Sequence, residues 1–150
     1  MSRDRLIGTE KGLPWDIPEE YNLYLSRISG QTVIMGRRTF ELFGDDLTSK
    51  YTIVVSSDFP PGENYKVCTT VDEAIRLAEN YGLDVYIAGG GTIYKQTLEK
   101  ADLMYLTYID GKYSGVAYFP EFDQNNWEIT DTTRYPKYEI VTYRKKTETY

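Results

Sequence analysis

The 150-residue chain contains no histidine. That removes the commonest metal ligand, the imidazole of Ser-His-Asp and Cys-His pairs, and the side chain best matched to proton transfer near neutral pH. Acid-base chemistry must therefore use carboxylates, lysine, tyrosine or bound water. Cysteine is nearly absent as well: Cys68 stands alone, so neither an internal disulfide nor a thiolate metal cluster is expected, and no metal site with them. The apolar runs are far shorter than a membrane span, and no signal-peptide pattern opens the chain. Both point to a cytoplasmic protein with no membrane partner. Positive charge is scarce: 17 Lys and Arg against 23 Asp and Glu leave a net charge of -6, the wrong sign for nucleic-acid binding through phosphate neutralisation.

What is present suits one folded domain over residues 1–150. Hydrophobic residues make up 41% and charged residues 27%, close to the globular average, which excludes a disordered, collagen-like or coiled-coil chain. The fifteen tyrosines read first as packing and sheet residues. Short β-branched runs at 32–35, 51–57, 65–68, 84–88, 103–109, 127–133 and 138–144 predict strands. Helical patterns lie at 18–29, 39–44, 71–81 and 91–99, the third opening with a capping-box spacing at Thr70 and Glu73. Strand-helix alternation implies parallel crossovers. The last two runs, joined at "RYPK", predict an antiparallel hairpin. The class is α/β, a mixed and mostly parallel sheet flanked by helices with that hairpin at its C-terminal end.

In open α/β sheets ligands settle beyond the carboxyl ends of the strands. Gly89, Gly90 and Gly91 lie at such a corner, between the run at 84–88 and a helical pattern. A backbone without side chains can press against a phosphate or a flat ring, although from these residues alone a plain strand-to-helix turn is the better account. A second corner sets Gly36, Arg37, Arg38 and Thr39 between a strand and a short helix. Two guanidiniums and a hydroxyl there suit a polyphosphate, and solvated surface arginines suit the pattern equally. Ser56 and Ser57 end a third strand.

Near the start, "GLPWDIPEEYNLYLSRIS" holds the clearest acid. Pro18 opens a helix in which Ile17, Tyr21, Tyr24, Leu25 and Ile28 recur with a period near 3.6. Glu19 then points away from that stripe beside Asn22 and Ser26, while Glu20 falls on its border beside Tyr24. Taken alone, such a glutamate is a surface residue with its stem along apolar neighbours. In a closed pocket it could instead bind a cationic or amidine-like group, or take up a proton.

In this order and spacing, "IGTEKGLPWDIPEEY", "VIMGRRTF", "IVVSS", "YIAGGGTIY" and "LMYLTYID" resemble dihydrofolate reductase over nearly the whole chain. The resemblance implies NADPH-dependent reduction of 7,8-dihydrofolate to tetrahydrofolate by hydride transfer, with a small-molecule substrate and no nucleic acid. It makes Glu20 the pocket carboxylate that orients the pterin and promotes its protonation, Thr107 the hydroxyl paired with it, and Trp15 the ring that orders a nearby water. Leu13 belongs to the mobile loop over nicotinamide; Tyr21, Tyr24 and Leu47 to the apolar wall around the substrate. Gly36, Arg37, Arg38 and Thr39 match the phosphate corner, and Ser56 and Ser57 the holder of the adenosine 2′-phosphate. Ala88, Gly89, Gly90, Gly91, Thr92, Ile93 and Tyr94 complete the cofactor side, Gly89 and Gly90 matching a cis-linked pair.

Three departures from the family accompany these matches. "MSRDRLIG" starts where the family's first strand should be ending. A start at an internal Met, a strand from another chain, or a natural variant with altered activity would each account for that, and a monomer is expected unless another chain supplies the strand. Lys50 stands where an arginine clamps the folate glutamate, keeping charge but losing the bidentate fork. Val116 replaces an acid that holds the mobile loop closed. A related pterin or pyrimidine reductase, and a non-catalytic docking module that keeps the fold, are the alternatives.

Overall fold

The computed structural model describes residues 1–8 and 12–146. Thr9, Glu10 and Lys11, inside the first of the five motifs, lie outside the described residues. In chain order the elements are β1 (Leu6–Gly8), α1 (Pro18–Ile28), β2 (Thr32–Gly36), α2 (Arg37–Phe43), β3 (Tyr51–Val55), β4 (Lys66–Cys68), α3 (Val71–Asn80), β5 (Val85–Ile87), α4 (Gly91–Thr97), β6 (Leu103–Ile109), β7 (Ala117–Tyr118), β8 (Trp127–Arg134) and β9 (Tyr138–Lys145). Backbone contacts divide the chain into two units, Trp15–Thr97 and Met1–Pro14 with Leu98–Tyr150.

The Trp15–Thr97 unit holds a four-stranded sheet of order β4-β3-β2-β5, parallel throughout. Thr32, Val33, Ile34 and Met35 of β2 are all fully buried, as expected where a parallel strand is covered on both faces and reads as one continuous apolar run. Ile34, Ile53 and Cys68 from successive strands meet Ala74 and Ala78 of α3 in one core cluster. Fully burying an isoleucine contributes about 1.5–3 kcal/mol. α3 presents Val71, Ala74 and Ala78 inward, the i, i+3, i+7 spacing of a helical stripe. Its N-terminus is capped as the sequence predicts: Glu73 N donates to Thr70 Oγ1 at 3.2 Å. The Glu73 carboxylate reaches back to Thr69, accepting from its N and Oγ1 at 3.3 and 3.1 Å.

In the Met1–Pro14 and Leu98–Tyr150 unit, β6, β9 and β8 form an antiparallel sheet of order β6-β9-β8. The predicted C-terminal hairpin is there, closed by Tyr135 N donating to Tyr138 O at 2.8 Å. β6 alternates, with Met104 and Leu106 buried and Leu103 and Tyr105 exposed, the period of a strand covered on one face. The chain's opening segment makes a short strand of its own: β1 pairs antiparallel with β7, and Ser2 bridges Ile109 in parallel. Arg3 ties this segment to the sheet, its Nη1 donating to Glu139 at 2.6 Å and its Nη2 to Asp110 at 3.3 Å.

One boundary differs in a way that matters for the site. The sequence predicts a helix at 39–44, but α2 runs Arg37–Phe43 with Gly36 as its N-cap. Arg37, Arg38 and Thr39 therefore belong to the first helical turn rather than to a loop before it. Arg carries no helix-start signature of the Ser, Thr, Asp or Pro kind, so pattern reading places the start two residues late.

Candidate active site

Two strand ends of the parallel sheet meet at glycine. Gly36 N, at the end of β2, donates to Gly89 O at 2.8 Å, and Ala88 N, just past β5, donates to Ile34 O at 2.9 Å. The Gly89–Gly90 peptide is cis, and Gly89 has φ +104, a region open to glycine and strained for other residues. A Cβ on Gly36 would stand 3.3 Å from Ile93 Cγ1, and one on Gly90 would stand 3.5 Å from Thr39 Oγ1. The corners of β2/α2 and β5/α4 thus lie side by side, with Gly89 buried and Gly36 and Gly90 half-buried. Side chains there would crowd Ile93, Thr39 and Tyr94, so glycine lets the two corners pack this closely. Thr92 is exposed on the first turn of α4, and Ile93 is buried beneath it.

Arg37 is not a free cation. Its Nε donates to Glu41 Oε1 at 2.6 Å and its Nη1 to Asp58 Oδ1 at 3.1 Å, while the guanidinium carbon lies 5.2 Å from the centre of the Phe59 ring. The Glu41 hydrogen bond is the main reason its pKa is raised. Arg38 is exposed on the same turn. Ser56 is fixed by its N donating to Cys68 O at 2.9 Å, and its Oγ donates to Asp58 Oδ1 at 3.1 Å. Ser57 is exposed. Asp58 and Phe59 are therefore partners of Arg37 and Ser56 that sequence reading missed. The signal available was an acid directly after the serine pair, in a stretch that reads as a surface loop.

On α1 the stripe and its border fall where periodicity places them. Glu19, Asn22 and Ser26 are exposed, Glu20 is half-buried, and Ile28 is buried. Tyr21 OH donates to Asp46 Oδ2 at 2.9 Å, and its ring packs against Tyr24 edge-on at 6.1 Å and Phe43 at 6.2 Å. Burial first, then the Asp46 hydrogen bond and the charges of Asp46 and Glu20, push the Tyr21 phenol up. Burial also pushes Tyr24 up, with Tyr94 and Tyr21 adding to it, and it raises Tyr94 to about 12. Tyr94 in turn lies against Gly89, where a Cβ would meet its Cε2 at 3.2 Å. Glu20 and Tyr24 sit four residues apart on one helix face. Tyr24 thus feels the charge of Tyr94, the residue that packs on the glycine bend.

The remaining predicted residues are spread more widely. Trp15 and Leu47 are half-buried in the same unit, Leu47 following the short 3-10 turn Gly44–Asp46. Lys50 is exposed, its Nζ 5.5 Å over the Tyr51 ring, and that ring stacks on Tyr81 at 3.8 Å. In the other unit Leu13 is 40% exposed, and Thr107 sits half-buried on β6 with its carbonyl accepting from the Met1 amine at 2.8 Å. Val116 is 65% exposed. Among the described residues no helix is long and apolar enough to cross a membrane, and no group of three or more His, Cys, Asp or Glu could hold a metal ion.

Comparison with known proteins identifies the family of the chain. The profile of the dihydrofolate reductase family matches residues 1–150. Dihydrofolate reductase of Bacillus subtilis (strain 168) is 32% identical over 155 aligned positions, covering 97% of this chain and 91% of the relative. That of Staphylococcus aureus is 33% identical over 129 positions, covering 85% and 79%. Among solved structures, dihydrofolate reductase from Enterococcus faecalis complexed with NADP(H) and RAB-propyl superposes with a TM-score of 0.87 at 28% identity, covering 97% of this chain and 92% of that one. With the whole chain matched by one family, and relatives above 30% identity covered along most of their length, this protein belongs to the dihydrofolate reductase family.

Proposed function

We propose that the protein reduces 7,8-dihydrofolate to 5,6,7,8-tetrahydrofolate with NADPH, and that Glu20 is the carboxylate that orients the pterin. The observation that carries this reading is the match of the whole chain to the dihydrofolate reductase family, and the half-burial of Glu20 on α1, beside the exposed Glu19, supports its choice as the acid. The two strand-end corners joined at Gly36 and Gly89 are the side of the sheet to which the cofactor is assigned. Bound NADPH supplies the hydride. The chain then needs only to bind, orient, exclude water and move one proton, which a protein without histidine or metal ligands can do.

In this reading the Glu20 carboxylate accepts hydrogen bonds from the amino and ring N–H edge of the pterin and holds the proton source at the ring nitrogen, with a water ordered beside Trp15. Tyr21, Tyr24 and Leu47 wall the substrate, and Lys50 meets its glutamate tail as a point charge. Arg37, Arg38 and Thr39 hold cofactor phosphate, Ser56 and Ser57 donate to the adenosine 2′-phosphate, and residues 88–94 back the nicotinamide half. The test is loss of NADPH absorbance with dihydrofolate, repeated for Glu20→Gln. A fall in kcat/KM of about 10²–10⁴-fold is expected for the loss of a positioned acid-base group. Undiminished turnover in that variant would remove Glu20 from its role, and no turnover by the unmutated protein would end the reductase reading.

A further inference from the structure

The cofactor corner contains an acid that neither the motifs nor the proposed reaction uses. Asp58 Oδ1 accepts from Arg37 Nη1 and from Ser56 Oγ, both at 3.1 Å. Ser56 Oγ also accepts from Asp58 N at 3.4 Å, which fixes the acid over the serine as a small local ring. One carboxylate oxygen thus occupies the serine assigned to the adenosine 2′-phosphate and, with it, a guanidinium assigned to cofactor phosphate. Arg37 has two further contacts at this place: Glu41 accepts from its Nε, and the Phe59 ring lies under the guanidinium.

A phosphate monoester carries roughly −1.5 to −2 charges at neutral pH. Arriving here it must displace a bonded acceptor and then lie beside a like charge. A ribose 2′-hydroxyl meets neither obstacle, and it can donate to a carboxylate. The Asp58 side chain is 74% exposed, so water and salt screen the repulsion and bound its size. We propose that Asp58 is a specificity-determining residue that narrows the preference for the 2′-phosphorylated cofactor over its unphosphorylated counterpart. This inference rests on the reading that Ser56 donates to the adenosine 2′-phosphate and that Arg37, bonded to the same acid, holds cofactor phosphate.

The test is calorimetric titration of NADP⁺ and NAD⁺ into the unmutated protein and into Asp58→Asn, at low and at moderate salt. Asp58→Asn keeps the size of the side chain and removes its charge. NADP⁺ affinity should rise about two- to fivefold, the range of one exposed charge pair, with the gain shrinking as salt is added and NAD⁺ affinity unchanged or lower. An equal change for both nucleotides, or none for NADP⁺, overturns the proposal. So does failure of the unmutated protein to bind either nucleotide. Nucleotide binding without dihydrofolate turnover would instead sink the reductase reading, and the titrations would still decide the role of Asp58.

Discussion

Tyr94 stands against Gly89, so closely that a Cβ on the glycine would lie 3.2 Å from the ring's Cε2 and 3.4 Å from its hydroxyl oxygen. Gly89 also has φ +104 and offers its carbonyl to Gly36 N at 2.8 Å. The backbone conformation and the crowding therefore act together against any side chain. Gly89→Ala is expected to lose about 1–3 kcal/mol of stability from the positive φ alone. In the proposed function it should weaken nucleotide binding beyond that loss, because the methyl group presses on Tyr94 and shifts the corner assigned to the cofactor. Thermal melts with and without NADPH separate the two effects: an equal drop in both would show that the corner does not touch the cofactor.

The start of α3 is held by a side chain, and removing it should cost what a cap costs. Thr70 Oγ1 accepts from Glu73 N at 3.2 Å, satisfying one of the orphan donors of the first turn. Thr70→Ala should destabilise the protein by about 1 kcal/mol, or about 2–4 °C in melting temperature for a chain of this length. Thr70→Ser should recover most of it. α3 packs Ala74 and Ala78 against the sheet and carries none of the residues of the proposed site, so kcat measured below the transition should not move.

Acid should loosen the tie between the opening segment and the antiparallel sheet. Asp110 accepts from Arg134 Nη1 at 3.1 Å, from Arg134 Nη2, and from Arg3 Nη2 at 3.3 Å. The Arg134 hydrogen bonds are the main cause that holds its pKa below the ordinary 3.8, with Arg3 adding to them against an opposing effect of burial. A carboxylate depressed in the folded state contributes stability that is fully present above its unfolded pKa and is lost as pH falls through the folded one. The loss therefore belongs below about pH 4. Asp110→Asn should flatten that part of a melting-temperature profile, and the difference from the unmutated protein should shrink in high salt, since these groups are exposed. A profile identical to the unmutated one below pH 4 would remove Asp110 from the acid response.

How far the sequence reveals this molecule differs from element to element, for physical reasons. β2 was legible at 32–35 because a parallel strand covered on both faces needs an unbroken apolar run. α3 was legible because its cap and its stripe obey local rules. The half-burial of Glu20 against the exposure of Glu19 followed from 100° per residue alone. The start of α2 at Arg37 was not legible, because Gly36 caps it without a side-chain signal. Nor was the pairing of Leu6–Gly8 with Ala117–Tyr118, since no local rule names a strand's partner more than a hundred residues away. Asp58 escaped for another reason: in "SSDFPPG" an acid is ordinary turn chemistry, and only the fold brings Arg37 to it.

Thr32 gives a case in which removing a polar group should help. Its residue is fully buried in the central strand between β3 and β5, and its Oγ1 has no hydrogen-bond partner. A buried, unsatisfied hydroxyl costs about 1–3 kcal/mol of desolvation that no bond returns. Valine has the same branched shape and suits a strand equally well, so Thr32→Val should raise stability by about 1 kcal/mol or more, read as a higher denaturant midpoint with an unchanged slope. Thr32→Ser keeps the hydroxyl and loses a methyl group, and it should move the midpoint the other way. If valine destabilises the protein instead, the hydroxyl has a partner in solution, and a buried water bridging it to the strand ends is the group to look for.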